Sequence, residues 1–401
     1  MKILGIETSC DETAVTLLEA DGAFPDRTGG TDFKFDIRGN ALFSQASLHA
    51  EYGGVFPNLA KREHAKNLVP LLEQTLAQAL MLETTAVPSA GALLLPLKEL
   101  LEREPELFTA LAAFALRYQK PDIDCIAVTY GPGLEPALWV GINFARALSL
   151  IWNVPIVAVN HMEGHIIASM MRSDENQDSR GTIHEFEYPV LALLISGGHT
   201  ELVLSKKFGE YEVIGETRDD AAGEAFDKVA RLLDLPYPGG PEVSRLAKDA
   251  RKKNLQGDFK FTRPMLRDDN FDFSFSGLKT AVRNIVKVRE PLTDELKMQI
   301  AREFEECVAD VLIEKTMRAA DVHGAQTVIV GGGVSANEFI RERLATRIMN
   351  EGSVVRLLVP AKDMATDNAI MIALAGYFRA LNKEFADPLT IKATGNLRLS
   401  A

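Results

Sequence analysis

Two histidines stand four residues apart in the run His161-Met162-Glu163-Gly164-His165. If that stretch is helical, the i, i+4 spacing sends both imidazoles out from one face, within reach of a single divalent ion. Alone, the pair reads better as two surface or hydrogen-bonded histidines. A third donor lies far along the chain in Met364-Ala365-Thr366-Asp367-Asn368, where an apolar helix follows at once and Asp367 is expected in its first turn. Asp367 alone reads as a helix-start carboxylate. With the histidines it makes a two-His, one-carboxylate set with open positions, the arrangement of a catalytic rather than a structural metal. The zinc-protease pattern H-E-x-x-H needs glutamate directly after the first histidine, and Met162 stands there instead.

Three glycine-rich turns offer a place for an anion. Ser196-Gly197-Gly198-His199-Thr200 follows an apolar strand, and its glycines let backbone N–H groups approach a phosphate or carboxylate. After Val330 come Gly331-Gly332-Gly333, then Ser335 and Glu338 spaced as a capping box, which predicts a helix N-terminus aimed at the loop and Asn337 in its first turn. The amide of Asn337 could read a base or ribose edge, although the segment also fits an ordinary strand-to-helix cap. Asp227, within a run of small and acidic residues at helical spacing, could accept from ribose hydroxyls. Pro238-Gly239-Gly240-Pro241 is a rigid turn whose glycines could lie flat against the same ligand.

The elements that must position these groups are legible in the patterning. Lys2–Ile6 reads as a strand, Glu7–Thr13 as a polar turn and Ala14–Leu18 as a second strand. The same grammar returns at Val190–Ile195, Ser196–Thr200 and Leu202–Leu204, an internal duplication. Two such hairpins predict two related α/β domains facing each other across a cleft, with both polar turns directed into it. Strands at 123–129, 155–159 and 327–330 alternate with helices at 61–82, 140–151, 221–233, 277–288 and 293–320, which indicates mostly parallel sheets. Residues 81–120 read as an inserted helical pair with a Leu-rich face, expected to pack on the first domain. The boundaries expected are 1–160 with 370–401 for the first domain and 161–369 for the second.

Composition narrows the classes. A chain of 401 residues with 46% hydrophobic and 25% charged content can build a core of more than one domain, which excludes disorder and fibrous repeats. No apolar run approaches the ~18 residues of a membrane span, and the absence of a secretory apolar region near Lys2 predicts a cytoplasmic chain. Cys10, Cys125 and Cys307 form no C-x-x-C pair, which argues against disulfides and a cysteine-built zinc site. The net charge of -12 opposes polyanion binding through the overall field, so nucleic acid would need a local basic patch or a partner. Arg251-Lys252-Lys253 and Lys206-Lys207 could supply one, or could be solvated surface charge.

Together, Gly5–Thr13, the His-Met-Glu-Gly-His run, the Ser-Gly-Gly-His-Thr turn, Asp220–Lys228, Tyr237–Pro241, Asp272–Thr280, Gly332–Asn337 and Thr366-Asp367-Asn368 closely resemble the TsaD (Gcp) family, in order along nearly the whole chain. These are tRNA N6-adenosine threonylcarbamoyltransferases. The resemblance implies two actin-like (ASKHA, RNase H-like) domains with an inter-domain cleft. It implies transfer of a threonylcarbamoyl group from threonylcarbamoyl adenylate to N6 of the adenosine 3′ of the anticodon. By match to the family's motifs, His161, His165 and Asp367 would hold one iron or zinc ion per subunit. Leu194, Ile195, Ser196, Gly197, Gly198, Asp227, Gly240 and Asn337 would hold the adenylate or ATP. A hetero-oligomer with a degenerate paralogue and a P-loop ATPase is implied as well.

Three features depart from the family's pattern: the 81–120 insertion, extra residues around 23–35, and Glu135-Pro136 after the Gly-Pro-Gly turn. Within the implied reaction, Asp11 or Glu12 at the facing hairpin turn is the candidate to accept the amine proton. Two other classes fit parts of the pattern. One is a small-molecule kinase or ATP-binding module of the same fold, and the other is a metalloprotease, for which Glu163 stands at the wrong offset.

Overall fold

The computed structural model describes residues 1–24, 32–84, 94–174, 177–289, 291–350 and 355–399. Residues 25–31 and 85–93, parts of the two expected insertions, lie outside the described residues.

The first lobe is built on β1 (Lys2–Glu7), β2 (Glu12–Asp21), β3 (Lys34–Ser44), β4 (Cys125–Gly131) and β5 (Ile156–Asn160). Their order is β5-β4-β1-β2-β3, with β1 antiparallel to β2 and β2 to β3, and β1 parallel to β4 and β4 to β5. A hairpin of β6 (Met171–Asp174) and β7 (Gln177–Ile183) extends this sheet beyond β3. The hairpin lies past the expected boundary at residue 160, and its ladder to β3 makes it part of the first sheet.

The second lobe repeats the pattern with β8 (Val190–Ile195), β9 (Thr200–Lys207), β10 (Glu210–Glu216), β11 (Thr327–Gly331) and β12 (Arg356–Leu358). Its order is β10-β9-β8-β11-β12, with the same pairing senses. Each lobe is therefore three antiparallel strands followed by two parallel ones, and the fold is a duplicated α/β unit of the actin-like, RNase H-like type. The central strands β1, β8 and β11 are almost continuously apolar, as strands covered on both faces must be.

Helices cover the sheets in three layers. On the outer face of the first sheet lie α1 (Ala46–Ala50), α2 (Pro57–Gln78), α3 (Leu94–Leu100), α4 (Pro105–Arg117) and α5 (Glu135–Trp152). The inserted helices α3 and α4 do pack on this lobe, burying Leu97, Leu107, Leu111 and Phe114 in its core. The second lobe's outer layer holds α7 (Ala222–Leu232), α8 (Gly239–Lys252), α9 (Ser276–Val288), α10 (Asp294–His323) and α11 (Glu338–Asn350). Thr293 starts α10 as its spacing predicts, its hydroxyl accepting from Leu296 N–H at 3.2 Å.

Between the two sheets lie α6 (His161–Met170) and α13 (Ala369–Leu381), preceded by the short α12 (Lys362–Ala365). All ten residues of α6 are buried, as are eleven of the thirteen in α13. Helices apolar on all sides need a core on all sides, and this middle layer provides one. Gly5 lets β1 and α13 approach closely: a Cβ there would stand 2.4 Å from the carbonyl oxygen of Ala369. Polar groups on α6 or just before α13 are thus shut between the lobes.

Candidate metal and nucleotide cleft

The chain leaves the carboxyl end of β5 directly into α6. Asn160 caps that helix, its Oδ1 accepting from Met162 N–H at 2.9 Å, so His161 and His165 fall one turn apart on one face. Asp367 arrives from the other end of the chain. It does not occupy the first turn of α13, because Asn368 is the cap, with Oδ1 accepting from Met371 N–H at 3.0 Å. Asp367 stands one residue earlier, in the bend between α12 and α13, and its carboxylate turns to the histidines. Asp367 Oδ1 lies 3.4 Å from His161 Nε2 and 3.1 Å from His165 Nε2, and the three donors fall within 4.8 Å of one another. Tetrahedral bonds of ~2.05 Å put donors about 3.3 Å apart, so this set fits a divalent ion with at least one position left open.

A carboxylate outside the expected site orients the first histidine. Glu7, the last residue of β1 and fully buried, lies 3.2 Å through Oε2 from His161 Nδ1. The same oxygen accepts from the Thr129 hydroxyl, and Oε1 accepts from Ser9 N–H, both at 2.5 Å. Ser9 Oγ is also 3.2 Å from Nδ1. A carboxylate on Nδ1 presents Nε2 toward the donor cluster, the usual support for a metal-bound histidine. Burial opposes charge on Glu7, and the facing His161 outweighs it and holds the carboxyl below its ordinary value. Burial likewise opposes charge on His161, yet Asp367 and then Glu7 hold the imidazole well above its usual value, whereas burial depresses His165. The sequence carried a faint signal for Glu7, an acid ending an otherwise apolar strand.

Asp11 and Glu12 open onto the same space from the β1–β2 turn. Burial, then Asp367 and Asp11, push the Glu12 carboxyl up to about 9, so a cation on Asp367 would favour its ionisation. Glu12 also accepts from Ser44 Oγ at 3.1 Å. Across the cleft, burial and the two α6 histidines push the His199 imidazole down to about 4. Glu163 is on the other side of α6, held by Arg379 at 2.6 Å and the Tyr211 hydroxyl at 3.2 Å. Facing away from the donors, it cannot act as a base on a water near them.

Beside this cluster a cavity of about 650 Å³ opens at the carboxyl ends of β8 and β11. Ligands in open α/β sheets gather at such strand ends. Its wall includes Gly197, Asp227, Gly240 and Asn337, drawn from four separate segments. Asp227 Oδ1 accepts from Gly239 N–H at 2.8 Å, which fixes the α7–α8 turn against it. Gly240 presents its bare face, with only Phe226 Cβ 4.0 Å from where a side chain would start. Ser196 Oγ accepts from the N–H groups of Gly198 and His199 at 3.3 and 3.0 Å, while a Cβ on Gly197 or Gly198 would meet nothing within 4 Å. Leu194 and Ile195 are wholly buried in β8, one on each side of the sheet, so only their backbone faces this end.

The expected Ser335–Glu338 capping box does not form. Residues Gly333–Ala336 make a 3-10 turn, and Asn337 caps α11 instead, its Oδ1 accepting from Ile340 N–H at 3.0 Å. The tight turn after three glycines shifts the helix start by two residues and leaves Ser335 Oγ buried without a partner. Asn337 Nδ2 donates to Glu305 Oε1 at 2.8 Å and Ser244 Oγ at 2.9 Å. Glu305, fully buried on α10, also pairs with Arg251. Arg251 is therefore part of the cavity wall and not of an exposed basic patch. Nothing in the sequence singled out Glu305, which is one acid among many on a long helix.

Two actin-like lobes, a His-His-Asp donor set between them that could hold a cation, and a cavity of about 650 Å³ at the adjoining strand ends define a cleft protein of the actin-like class. The chain matches the family model described as TsaD: tRNA N6-adenosine threonylcarbamoyltransferase over residues 36–85 and 104–374. It is 41% identical over 398 residues to a tRNA N6-adenosine threonylcarbamoyltransferase of Ralstonia pickettii, covering 98% of this chain and 94% of that protein. Among solved structures it is similar to full-length HypF in its phosphate- and nucleotide-bound form, at 14% identity and a TM-score of 0.46 over 70% of this chain and 42% of that one. It is also similar to component A of (R)-2-hydroxyglutaryl-CoA dehydratase of Acidaminococcus fermentans, at 13% identity and a TM-score of 0.44 over 95% and 99%. The chain belongs to the TsaD family and is a tRNA N6-adenosine threonylcarbamoyltransferase. Among the described residues no helix is long and apolar enough to cross a membrane.

Proposed function

We propose that the chain takes its threonylcarbamoyl group from threonylcarbamoyl adenylate and delivers it to N6 of the adenosine 3′ of the anticodon, in the cytoplasm. The observation that carries this reading is the adjacency of two sites. The 196–200 turn touches both: its Gly197 lines the cavity shared with Asp227, Gly240 and Asn337, and its His199 lies close enough to the His161, His165 and Asp367 donors to feel their charge. One pocket can hold the adenylate while its reacting end reaches the other.

In this reading the cavity orients the donor. Asn337, with both amide hydrogens taken by Glu305 and Ser244, offers the second lone pair of its fixed Oδ1, and Asp227 offers a carboxylate for ribose hydroxyls. At the 196–200 turn the N–H of Gly197, with open space above Gly197 and Gly198, is the donor offered to the phosphate that leaves, those of Ser196 and Gly198 being taken within the turn. An exocyclic adenine amine is a weak nucleophile, so positioning and electrophile activation dominate. His161, His165 and Asp367 would hold one iron or zinc ion, which when bound supplies Lewis-acid polarisation of the donor. Asp11 or Glu12 accepts the amine proton from the facing turn. By family resemblance, the chain works in a hetero-oligomer with a degenerate paralogue and a P-loop ATPase, and ATP can occupy the adenylate pocket.

The test combines His161→Ala and His165→Ala. The double variant is expected to lose both bound metal and formation of N6-threonylcarbamoyladenosine, read by mass spectrometry of tRNA nucleosides. Full activity in a variant without metal would refute the metal role, and a phosphorylated small molecule as the product would favour a kinase.

A further inference from the structure

A second and larger cavity, about 970 Å³, has no part in the reading above. It lies between the 262–268 loop, the C-terminal half of α10 and α11. Five guanidinium groups line it, from Arg263, Arg267, Arg318, Arg343 and Arg347, against three carboxyls, from Asp268, Asp310 and Glu314. With Glu303, which pairs with Arg263 from behind, four carboxyls face the five guanidiniums, a local excess of one positive charge in a chain of net charge -12.

The positive wall is held in place from behind. Asp310 is shared between Arg263 at 2.8 Å and Arg343 at 2.6 Å, Arg263 is paired with Glu303 as well at 2.5 Å, and Arg347 lies 3.5 Å from Glu314. Arg318 spends its donors on the carbonyls of Leu266 and Asp268, at 3.4 and 2.8 Å. Arg267 is exposed and makes no ion pair or side-chain hydrogen bond among the described residues. A planar guanidinium fork suits the oxygens of a phosphate better than any other side chain does.

The cavity shares a seam with the nucleotide pocket. The helices α10 and α11 supply walls to both, Glu305 and Phe339 to the first and Asp310 and Arg343 to the second. Phe339 links them, with Arg251 3.8 Å from its ring and Arg343 5.5 Å from it. Glu305 and Asp310 are five positions apart, roughly 8 Å along the helix.

We infer that this arginine-lined cavity receives the phosphodiester backbone of the RNA substrate and holds it beside the nucleotide pocket. The inference rests on the proposed transfer to tRNA. Arginines spread across a loop and two helices suit successive phosphates of a strand, and the volume exceeds what one phosphate fills. Contacts of this kind position the RNA without reading its sequence.

The full chain is titrated with an unmodified tRNA transcript over a series of salt concentrations, as parent and as the double variant Arg267→Glu, Arg347→Glu. The variant is expected to bind about tenfold more weakly near 0.1 M salt, with a log–log salt slope shallower by about 2. ATP binding should be unchanged. Arg267→Ala, which removes an exposed group that anchors nothing, should weaken tRNA in the same direction by about threefold. Unchanged affinity and slope in both variants would overturn the inference while leaving the proposed function standing. So would pyrophosphate binding that is lost in the variants while tRNA binding is not, which would mark a small-phosphate site. A parent chain that binds no tRNA at any salt would overturn the inference for this chain by itself and leave the family assignment, which rests on sequence identity, in place.

Discussion

Glu7→Gln tests how the donor set is held. Glu7 is fully buried, and both its oxygens are used as acceptors: Oε2 faces His161 Nδ1 and the Thr129 hydroxyl, and Oε1 takes Ser9 N–H. Glutamine has nearly the same shape but replaces one acceptor with a two-hydrogen donor. With its oxygen toward His161, the new amine confronts Ser9 N–H, donor against donor. Turned over, the amine faces His161 Nδ1, which must then accept, moving the ring proton to Nε2 and removing the lone pair that the metal needs. Either orientation costs about 1–3 kcal/mol for a buried group left unmatched. That agrees with the 10–100-fold loss of metal affinity typical of such supporting carboxylates, about 1.4–2.7 kcal/mol. Competition against a chromophoric chelator with zinc or cobalt measures the affinity, and thermal melts in excess chelator report fold stability separately. Glu163→Gln is the control, since it breaks a buried pair to Arg379 on the opposite side of the same helix. It should lower the melting temperature and leave metal affinity alone. Metal affinity within twofold of the parent in Glu7→Gln would show that the geometry around His161 does not depend on this carboxylate.

Two further substitutions probe the scaffold. Glu201 stands directly across from Glu216 in the β9–β10 ladder, and one of its oxygens is buried with no hydrogen-bond partner. Burial and the facing Glu216 push its carboxyl up to about 7. The folded state therefore prefers the protonated form, so a stability penalty grows as pH rises from about 4.5 and is complete above about 7. Its upper limit is about 3 kcal/mol, reduced toward 1 by solvent screening. Glu201→Gln should accordingly raise the denaturation midpoint at pH 8.5 and change it little at pH 5, and an equal shift at both values would contradict the assignment. Gly5→Ala places a methyl 2.4 Å from the Ala369 carbonyl and 2.9 Å from the Ala373 Cβ. Pushing α13 off β1 should cost roughly 1–3 kcal/mol in urea unfolding. It should also weaken metal binding, because Asp367 is set by the start of α13. An unchanged urea midpoint would mean that the middle layer is not tightly packed.

What the sequence by itself determined is largely local. Apolar runs located β1, β2, β4, β5, β8, β9 and β11 because a strand buried on both faces can carry little else, while β3, β6, β7, β10 and β12, at or toward the sheet edges, gave no such signal; the repeated strand-turn-strand pattern announced the duplication that the two sheets share. Helical spacing put His161 and His165 on one face, since an i, i+4 relation is fixed by the pitch of the helix whatever surrounds it. Tertiary structure alone decided which distant groups meet. His165 and Asp367 are 202 residues apart, and they come together only because α6 and the start of α13 are enclosed by the same two sheets. Glu7 behind His161, Glu305 behind Asn337 and the arginine-lined seam are likewise products of packing, and spacing along the chain carries no trace of them. Even the cap of α11 was decided this way. The motif favoured Ser335, but the tight turn after Gly331–Gly333 delayed the helix to Asn337, whose side chain was already committed to Glu305.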